Sequence, residues 1–278
     1  MIYTAKETID ASVEMFYLDR EGQPELIPLG LPAIDEELGG LGPKACAILA
    51  AATGVGKSSC MLTAMLGSRV PVGCVSVEDG PDVVGTRLLS AITGIDSLRI
   101  RRKALSTEEL ERIRVKASTV DLSNLHFTYP TAGTMETIED EIAGLCEAGC
   151  KMVWLDYLQK VRGHREDRRH EVAETFTRFQ RAVAKGGAAG VAISQFRRLA
   201  DGERVPQIHH LKESGDLENE ARVIILAHKI RDPEQKDRVR FRVAKSTYGG
   251  EYISWDMTRD ESGTLRNAST LDWGEGEW

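Results

Sequence analysis

Ala51-Ala52-Thr53-Gly54-Val55-Gly56-Lys57-Ser58 is the stretch on which the fold of this 278-residue chain turns. An apolar run, Ala45 to Ala51, leads into it, and a segment with helical spacing, Lys57 to Gly67, leads out. A strand that turns through small residues into a helix aims successive backbone N–H groups and the positive end of a helix dipole at one point, which suits a chain of phosphates. In that pattern Thr53, Gly54, Val55 and Gly56 wrap the phosphates and Lys57 reaches the outer ones. Ser58 then offers its hydroxyl to Mg2+, and Ser59 follows in the same first turn. The first position of the usual glycine-rich spacing holds Ala51, which ends the strand, where a methyl group fits. ATP and Mg2+ are the expected ligands.

Outward from this loop, short apolar runs alternate with longer amphipathic segments. Val70 to Val77, Leu125 to Tyr129, Lys151 to Asp156 and Gly190 to Ser194 read as further buried strands. Pro81 to Thr93, Met135 to Ala148 and Glu171 to Lys185 read as crossover helices. That alternation predicts an α/β fold with a mostly parallel central sheet flanked by helices. Arg222 to His228 reads as one more buried strand. Arg238 to Lys245 and Glu251 to Met257 then alternate apolar and polar residues around Tyr248-Gly249-Gly250, predicting an antiparallel C-terminal edge. The expected division is an N-terminal arm, 1–26, with a short helix over Thr8 to Leu18, a core over 27–258, and an acidic, aromatic tail over 259–278.

Parallel strands deliver their C-terminal ends to one edge, where open α/β sheets bind ligands. Asp156 ends the run Met152-Val153-Trp154-Leu155 and is the expected partner of Ser58 at the metal. Glu78 follows Val75-Ser76-Val77 and is the candidate base for the attacking water, with Asp79 beside it as the alternative. Gln195 ends a further strand, in place to sense the γ-phosphate.

Composition bounds the reading. With 41% hydrophobic, 28% charged and 6% aromatic residues, and no apolar run near the ~18 residues of a membrane span, the sequence predicts a globular protein without a transmembrane helix. Met1 to Asp10 lacks the basic and apolar blocks of a secretory signal, so a cytoplasmic location is expected. Five scattered cysteines lack metal-ligand spacing and read as reduced thiols. A net charge of -7 excludes a protein that coats nucleic acid through its overall field, but leaves room for a local basic channel. Arg165, Arg168 and Arg169 in the loop after Asp156, and Arg197 and Arg198 after Gln195, are the candidates for such a channel. No aromatic residue stands between those cations, which favours tracking of the phosphate backbone over stacking on bases.

The four stations, in this order, resemble the helicase domain of the DnaB-type replicative helicases. Ile27-Pro28-Leu29-Gly30, Ile34-Asp35-Glu36-Glu37-Leu38-Gly39-Gly40, Leu155-Asp156-Tyr157-Leu158-Gln159 and Leu211-Lys212-Glu213-Ser214-Gly215 through Ala221 are similar to that family's other motifs, so the likeness runs from Leu26 to Trp255. The resemblance implies a RecA-like core and a six-membered ring of copies. ATP would bind between subunits, and single-stranded DNA would run through the bore with 5' to 3' movement and unwinding. It also implies DNA contacts at Lys212, Glu213 and Gly215, with Lys212 where an arginine is common. The family places a lysine and an arginine two residues apart on a late strand as trans-acting cations; here Lys245 is kept and Thr247 stands at the arginine position. Trans-activation is therefore expected from Lys245 or from a cation the pattern does not identify.

Nothing before Leu26 corresponds to the family's separate N-terminal domain. Leu271-Asp272-Trp273-Gly274-Glu275-Gly276-Glu277-Trp278 reads as a docking peptide for a polymerase, primase or loader, or as a frayed end. Two other readings stay open: a RecA-like strand-exchange or regulatory ATPase without unwinding, and an adaptor that keeps the fold and hydrolyses nothing.

Overall fold

The computed structural model describes residues 4–6, 9–10, 26–52, 54–162, 168–196, 205–211, 215–230, 237–249 and 253–267, with the backbone alone at 168–169, 215–216 and 267. Helix α1 (Pro32–Leu38) leads into β1 (Cys46–Ala51), and α2 (Lys57–Gly67) leads out of the glycine-rich loop. Then follow β2 (Val72–Ser76), α3 (Pro81–Thr93), α4 (Ser97–Arg101), α5 (Thr107–Thr119), β3 (Leu125–Thr128), α6 (Met135–Glu147) and β4 (Met152–Asp156). The remainder is α7 (Arg168–Lys185), β5 (Ala189–Gln195), α8 (Gly215–Glu220), β6 (Val223–Lys229), β7 (Arg238–Ser246), β8 (Ser254–Arg259) and β9 (Leu265–Asn267).

These strands form one sheet in the order β3-β2-β4-β5-β1-β6-β7-β8-β9. The first six are parallel and the last three antiparallel, as the sequence predicts. β1 is central and buried along its whole length, which is why it reads as an unbroken apolar run rather than an alternating one. Its side chains still divide by face. Ala47, Leu49 and Ala51 join α1 and α2 in one core, while Cys46, Ile48 and Ala50 join α6, α7 and α8 in the other. All five cysteines are free thiols, and four are buried.

The lead-in to the core is pinned by one carboxylate. Asp35 accepts from the N–H groups of Leu29 (2.6 Å), Gly30 (2.9 Å) and Leu31 (3.0 Å), folding the chain back onto α2. Gly30 there has φ +79°, and a Cβ would stand 2.0 Å from the Ala64 carbonyl oxygen. Only glycine fits that approach of loop to helix.

The structure departs from the sequence expectation in particular places. α4 and α5 fill the connection between α3 and β3, and neither buries a residue. The strand expected from Glu251 is observed from Ser254, and 250–252 lie outside the described residues. β9 falls beyond the expected core boundary at 258, pairs with β8 and buries Leu265 completely, so the sheet continues into the segment read as a tail. Of the helix expected over Thr8 to Leu18, only Ile9 and Asp10 are described, and both are helical.

Candidate active site

The loop after β1 is shaped by glycines held where other residues are strained. Gly54 (φ +76°) and Gly56 (φ +114°) are left-handed, and Gly56 caps the N-terminus of α2. Because β2, β4, β5 and β1 are adjacent and parallel, their C-terminal ends meet at this loop, with Ser76 level with Asp156 and Ala51 level with Gln195. Four stations separated by many residues of sequence therefore share one edge.

Lys57 is half-buried, with its Nζ 3.4 Å from the Ala52 carbonyl oxygen and 6.0 Å from the centre of the Tyr157 ring. Burial lowers the pKa of its ammonium, against the attraction of Asp156 and Glu78. Asp156 is 2% exposed, and burial pushes its carboxyl up to about 6 against a hydrogen bond from Ser58. The carboxylates of Glu78 and Asp79 push in the same direction as burial. One of its oxygens, Oδ1, is buried without a hydrogen-bond partner. A desolvated carboxylate oxygen lacking a donor, beside a serine hydroxyl and facing a phosphate loop, fits a site for a divalent cation carried by its nucleotide. Among the described residues there is no cluster of three or more His, Cys, Asp or Glu side chains able to hold a metal ion.

The two neighbouring acids after β2 differ. Asp79 is ion-paired with Arg87 on α3, and its carbonyl accepts from the Ser76 hydroxyl at 2.7 Å, so it braces the turn. Glu78 is exposed to the cavity and faces Lys160 at 3.6 Å. Gln159, two residues beyond Tyr157, ties β4 to β5: its Nε2 donates to the Ser194 hydroxyl at 2.9 Å, and its Oε1 accepts from the Gln195 N–H at 3.2 Å.

The cavity at this edge has a volume of roughly 430 Å³. Gly54, Gly56, Lys57, Ser58 and Glu78 line it together with Arg87, Ser90, Ser97, Arg259, Ser262 and Thr264. A larger cavity, roughly 630 Å³, lies between α1 and the end of α2 and contains none of the candidate residues. Ser59 lines the nucleotide-sized cavity, yet its hydroxyl is engaged by the β8–β9 turn: it accepts from the Leu265 N–H (3.0 Å) and donates to the Gly263 carbonyl (3.4 Å). Arg259, absent from the sequence reading, donates to the carbonyls of Val55 and Gly263, both at 2.8 Å. The sequence signal for this wall is the turn Asp260-Glu261-Ser262-Gly263 with alternation after it.

Lys245 stands elsewhere. It pairs with Ile224, which is level with Ile48, at the end of the sheet away from the loop, and its Nζ donates to the Glu218 carbonyl. Arg168 and Arg169 open α7 and Gly215 opens α8, at the backbone level. Thr53, Arg165, Arg197, Arg198, Lys212 and Glu213 lie outside the described residues.

A glycine-rich loop after β1, acidic residues after β2 and at the end of β4, and an amide at the end of β5, all at one edge of this sheet, mark a protein of the RecA-like fold class. Within that class the chain belongs to the DnaB-like helicase C terminal domain family, whose profile matches residues 27–253. It is 29% identical over 220 residues to the replicative DNA helicase DnaB of Leifsonia xyli, covering 76% of this chain and 48% of that protein. It is 25% identical over 238 residues to a probable plasmid replicative DNA helicase of Chlamydia trachomatis, covering 83% and 52%. The chain thus spans about half the length of the curated relatives it matches. A solved DnaB-like replicative helicase, described with its interactions with primase, shares the fold with a TM-score of 0.81 at 19% identity, over 96% of this chain and 68% of that one.

Proposed function

We propose that this chain is the motor of a replicative DNA helicase: copies form a six-membered ring, bind ATP with Mg2+ between subunits, and use hydrolysis to pull single-stranded DNA through the bore and unwind duplex. The meeting of Lys57, Ser58 and Glu78 at one cavity, with the buried carboxylate of Asp156 hydrogen-bonded to Ser58, carries this reading. Ser58 and Asp156 hold the Mg2+, which neutralises phosphate oxygens when bound. The loop N–H groups with Thr53, Gly54, Val55 and Gly56 hold the phosphates, and Lys57 reaches the outermost. Glu78 takes a proton from water as its oxygen attacks the γ-phosphorus and the bond to the β-phosphate oxygen breaks, releasing ADP. Gln195, tied through Gln159 to the metal strand, reports the γ-phosphate to the loop that follows it.

Lys245 serves the neighbouring copy's site. Arg165, Arg168, Arg169, Arg197 and Arg198 hold DNA phosphates, with Lys212, Glu213 and Gly215 beside them. Movement from 5' to 3', a cytoplasmic place of action, and docking of a polymerase, primase or loader at 271–278 complete the proposal. No helix among the described residues is long and apolar enough to cross a membrane.

ATP hydrolysis measured with and without single-stranded DNA tests the reading. The native chain is expected to be strongly stimulated by DNA, and Glu78→Gln to lose about 100-fold or more in turnover while still binding nucleotide. Hydrolysis indifferent to DNA would sink the helicase reading in favour of a regulatory ATPase.

A further inference from the structure

Phosphoryl transfer spreads growing negative charge over the transferring group, and a site needs a cation placed on that charge beyond those holding the ground state. Around the cavity the described cations other than Lys57 are committed. Arg87 is ion-paired with Asp79, Lys160 faces Glu78, and Arg259 donates both of its terminal nitrogens to backbone carbonyls.

Two cations share one face at the opposite end of the sheet. β6 and β7 are antiparallel, with Ile224 opposite Lys245 and Val223 opposite Ser246. The pairing continues one residue further, because the Thr247 N–H donates to the Arg222 carbonyl at 2.9 Å. Arg222 therefore stands directly across from Thr247. Directly paired residues project to the same face of a sheet, as do residues two apart, so Arg222, Thr247 and Lys245 form one patch. Arg222 and Thr247 are exposed, and Arg222 makes no side-chain hydrogen bond or ion pair with a described residue.

Neither cation of this patch reaches the phosphate loop of its own chain. Val223 is level with Ala47, which places Arg222 five residues short of Ala51, ~16 Å down the strand. The patch also lies on the face that Ile224 shares with α6, α7 and α8, whereas α2 covers the other face. The exposed guanidinium of Arg222 is thus available to a site on another copy.

We infer that Arg222, beside Lys245, is a catalytic cation that this chain inserts into the nucleotide site of the neighbouring copy, where its guanidinium binds γ-phosphate oxygens. This rests on the shared-site reading above. It also explains how Thr247 is tolerated where the resemblance implies an arginine: the positive charge has moved across one strand pair.

The test uses the full chain with saturating ATP and DNA. Arg222→Ala is expected to lower turnover on the order of 10³-fold, with binding of a non-hydrolysable ATP analogue nearly unchanged. Adding Thr247→Arg to that variant is expected to restore turnover, because it returns a guanidinium to the same patch. Mixing inactive Arg222→Ala with inactive Glu78→Gln is expected to regain activity, since mixed interfaces pair an intact Arg222 with an intact Glu78. Native turnover in Arg222→Ala overturns the inference. So does a mixture that stays inactive while Lys245→Ala and Glu78→Gln complement each other, an outcome that keeps the shared site and removes Arg222 from it. Failure of both mixtures removes the shared-site reading, and Arg222 with it.

Discussion

His228 sits half-buried near the end of β6, directly across from Arg240 and close to Arg242. Burial and the two guanidinium groups push its imidazole down to about 4, outweighing the attraction of Asp256, which is itself held by Arg240 at 2.8 and 3.1 Å. As pH falls, the unfolded chain therefore takes up this proton near the ordinary value of about 6.5, before the folded chain does. The stability that a neutral His228 permits is complete above that value, declines between about 6.5 and about 4, and levels off below. Because the ring is partly solvated, the loss is about 1–2 kcal/mol rather than the full linkage value. Urea unfolding at pH 7.5 and pH 4.5 should show the native chain losing that much more than His228→Gln; equal losses would show that the ring titrates freely in the fold. Residues of this kind are illegible in sequence, because the perturbing charges come from a strand that folding brings alongside. The placement of Lys57, Ser58 and Asp156 was legible for the opposite reason: Asp156 ends β4, Lys57 and Ser58 open the helix that follows β1, and parallel strands bring such ends together whatever their contacts. The choice between Glu78 and Asp79 fell between these cases, since it depends on Arg87, a residue on the next helix, claiming Asp79.

The β8–β9 hairpin walls the proposed nucleotide cavity, and it grips α2, the loop before it and α3. Thr63 donates to the Leu265 carbonyl at 2.6 Å, Arg266 donates to the Ala91 carbonyl at 2.7 Å, and Arg259 holds Val55 from outside the loop. Val55 immediately precedes Gly56, whose left-handed φ sets the direction of the N–H groups that would face phosphates. Arg259→Ala should therefore weaken ATP-analogue binding roughly tenfold and cost about 1–2 kcal/mol of stability, the scale of lost hydrogen bonds from a charged donor. Titration calorimetry alongside urea unfolding separates the two effects; full affinity at reduced stability would make the hairpin a cover rather than a brace. The hairpin also contains the strand that the sequence signals least. β1, β2, β4, β5 and β6 were legible as apolar runs, whereas β3 is a four-residue edge strand that is only half-buried, and β9 is three residues long, too short for a period of two to declare itself. α5 carries a local start signal, the reciprocal cap of Ser106 and Glu109 with bonds of 3.2 and 2.8 Å, but no pattern of burial. Its apolar residues, Leu110 and Val115, are exposed, so no buried stripe announced the helix.

At the scale of the whole molecule, a net charge of -7 sets the chain against the polymer it is proposed to hold. The overall field repels DNA, so affinity has to come from a few cations close to phosphates, where contact outweighs a screened long-range term. Binding through such contacts releases counterions, and for single strands each phosphate neutralised contributes about 0.7 to the slope of log affinity against log salt. The slope thus counts the cations that touch DNA and ignores those that are merely solvated. Replacing Arg197 and Arg198 together by alanine should weaken single-stranded DNA binding about tenfold near 0.15 M salt and make the slope shallower by at least ~0.7. The titrations have to be run with protein well above the concentration at which copies assemble, because ring formation carries a salt dependence of its own. Under that condition an unchanged slope would mean that the loop after β5 points its charge at water, and the path of the strand would move to the segment around Lys212 and Gly215.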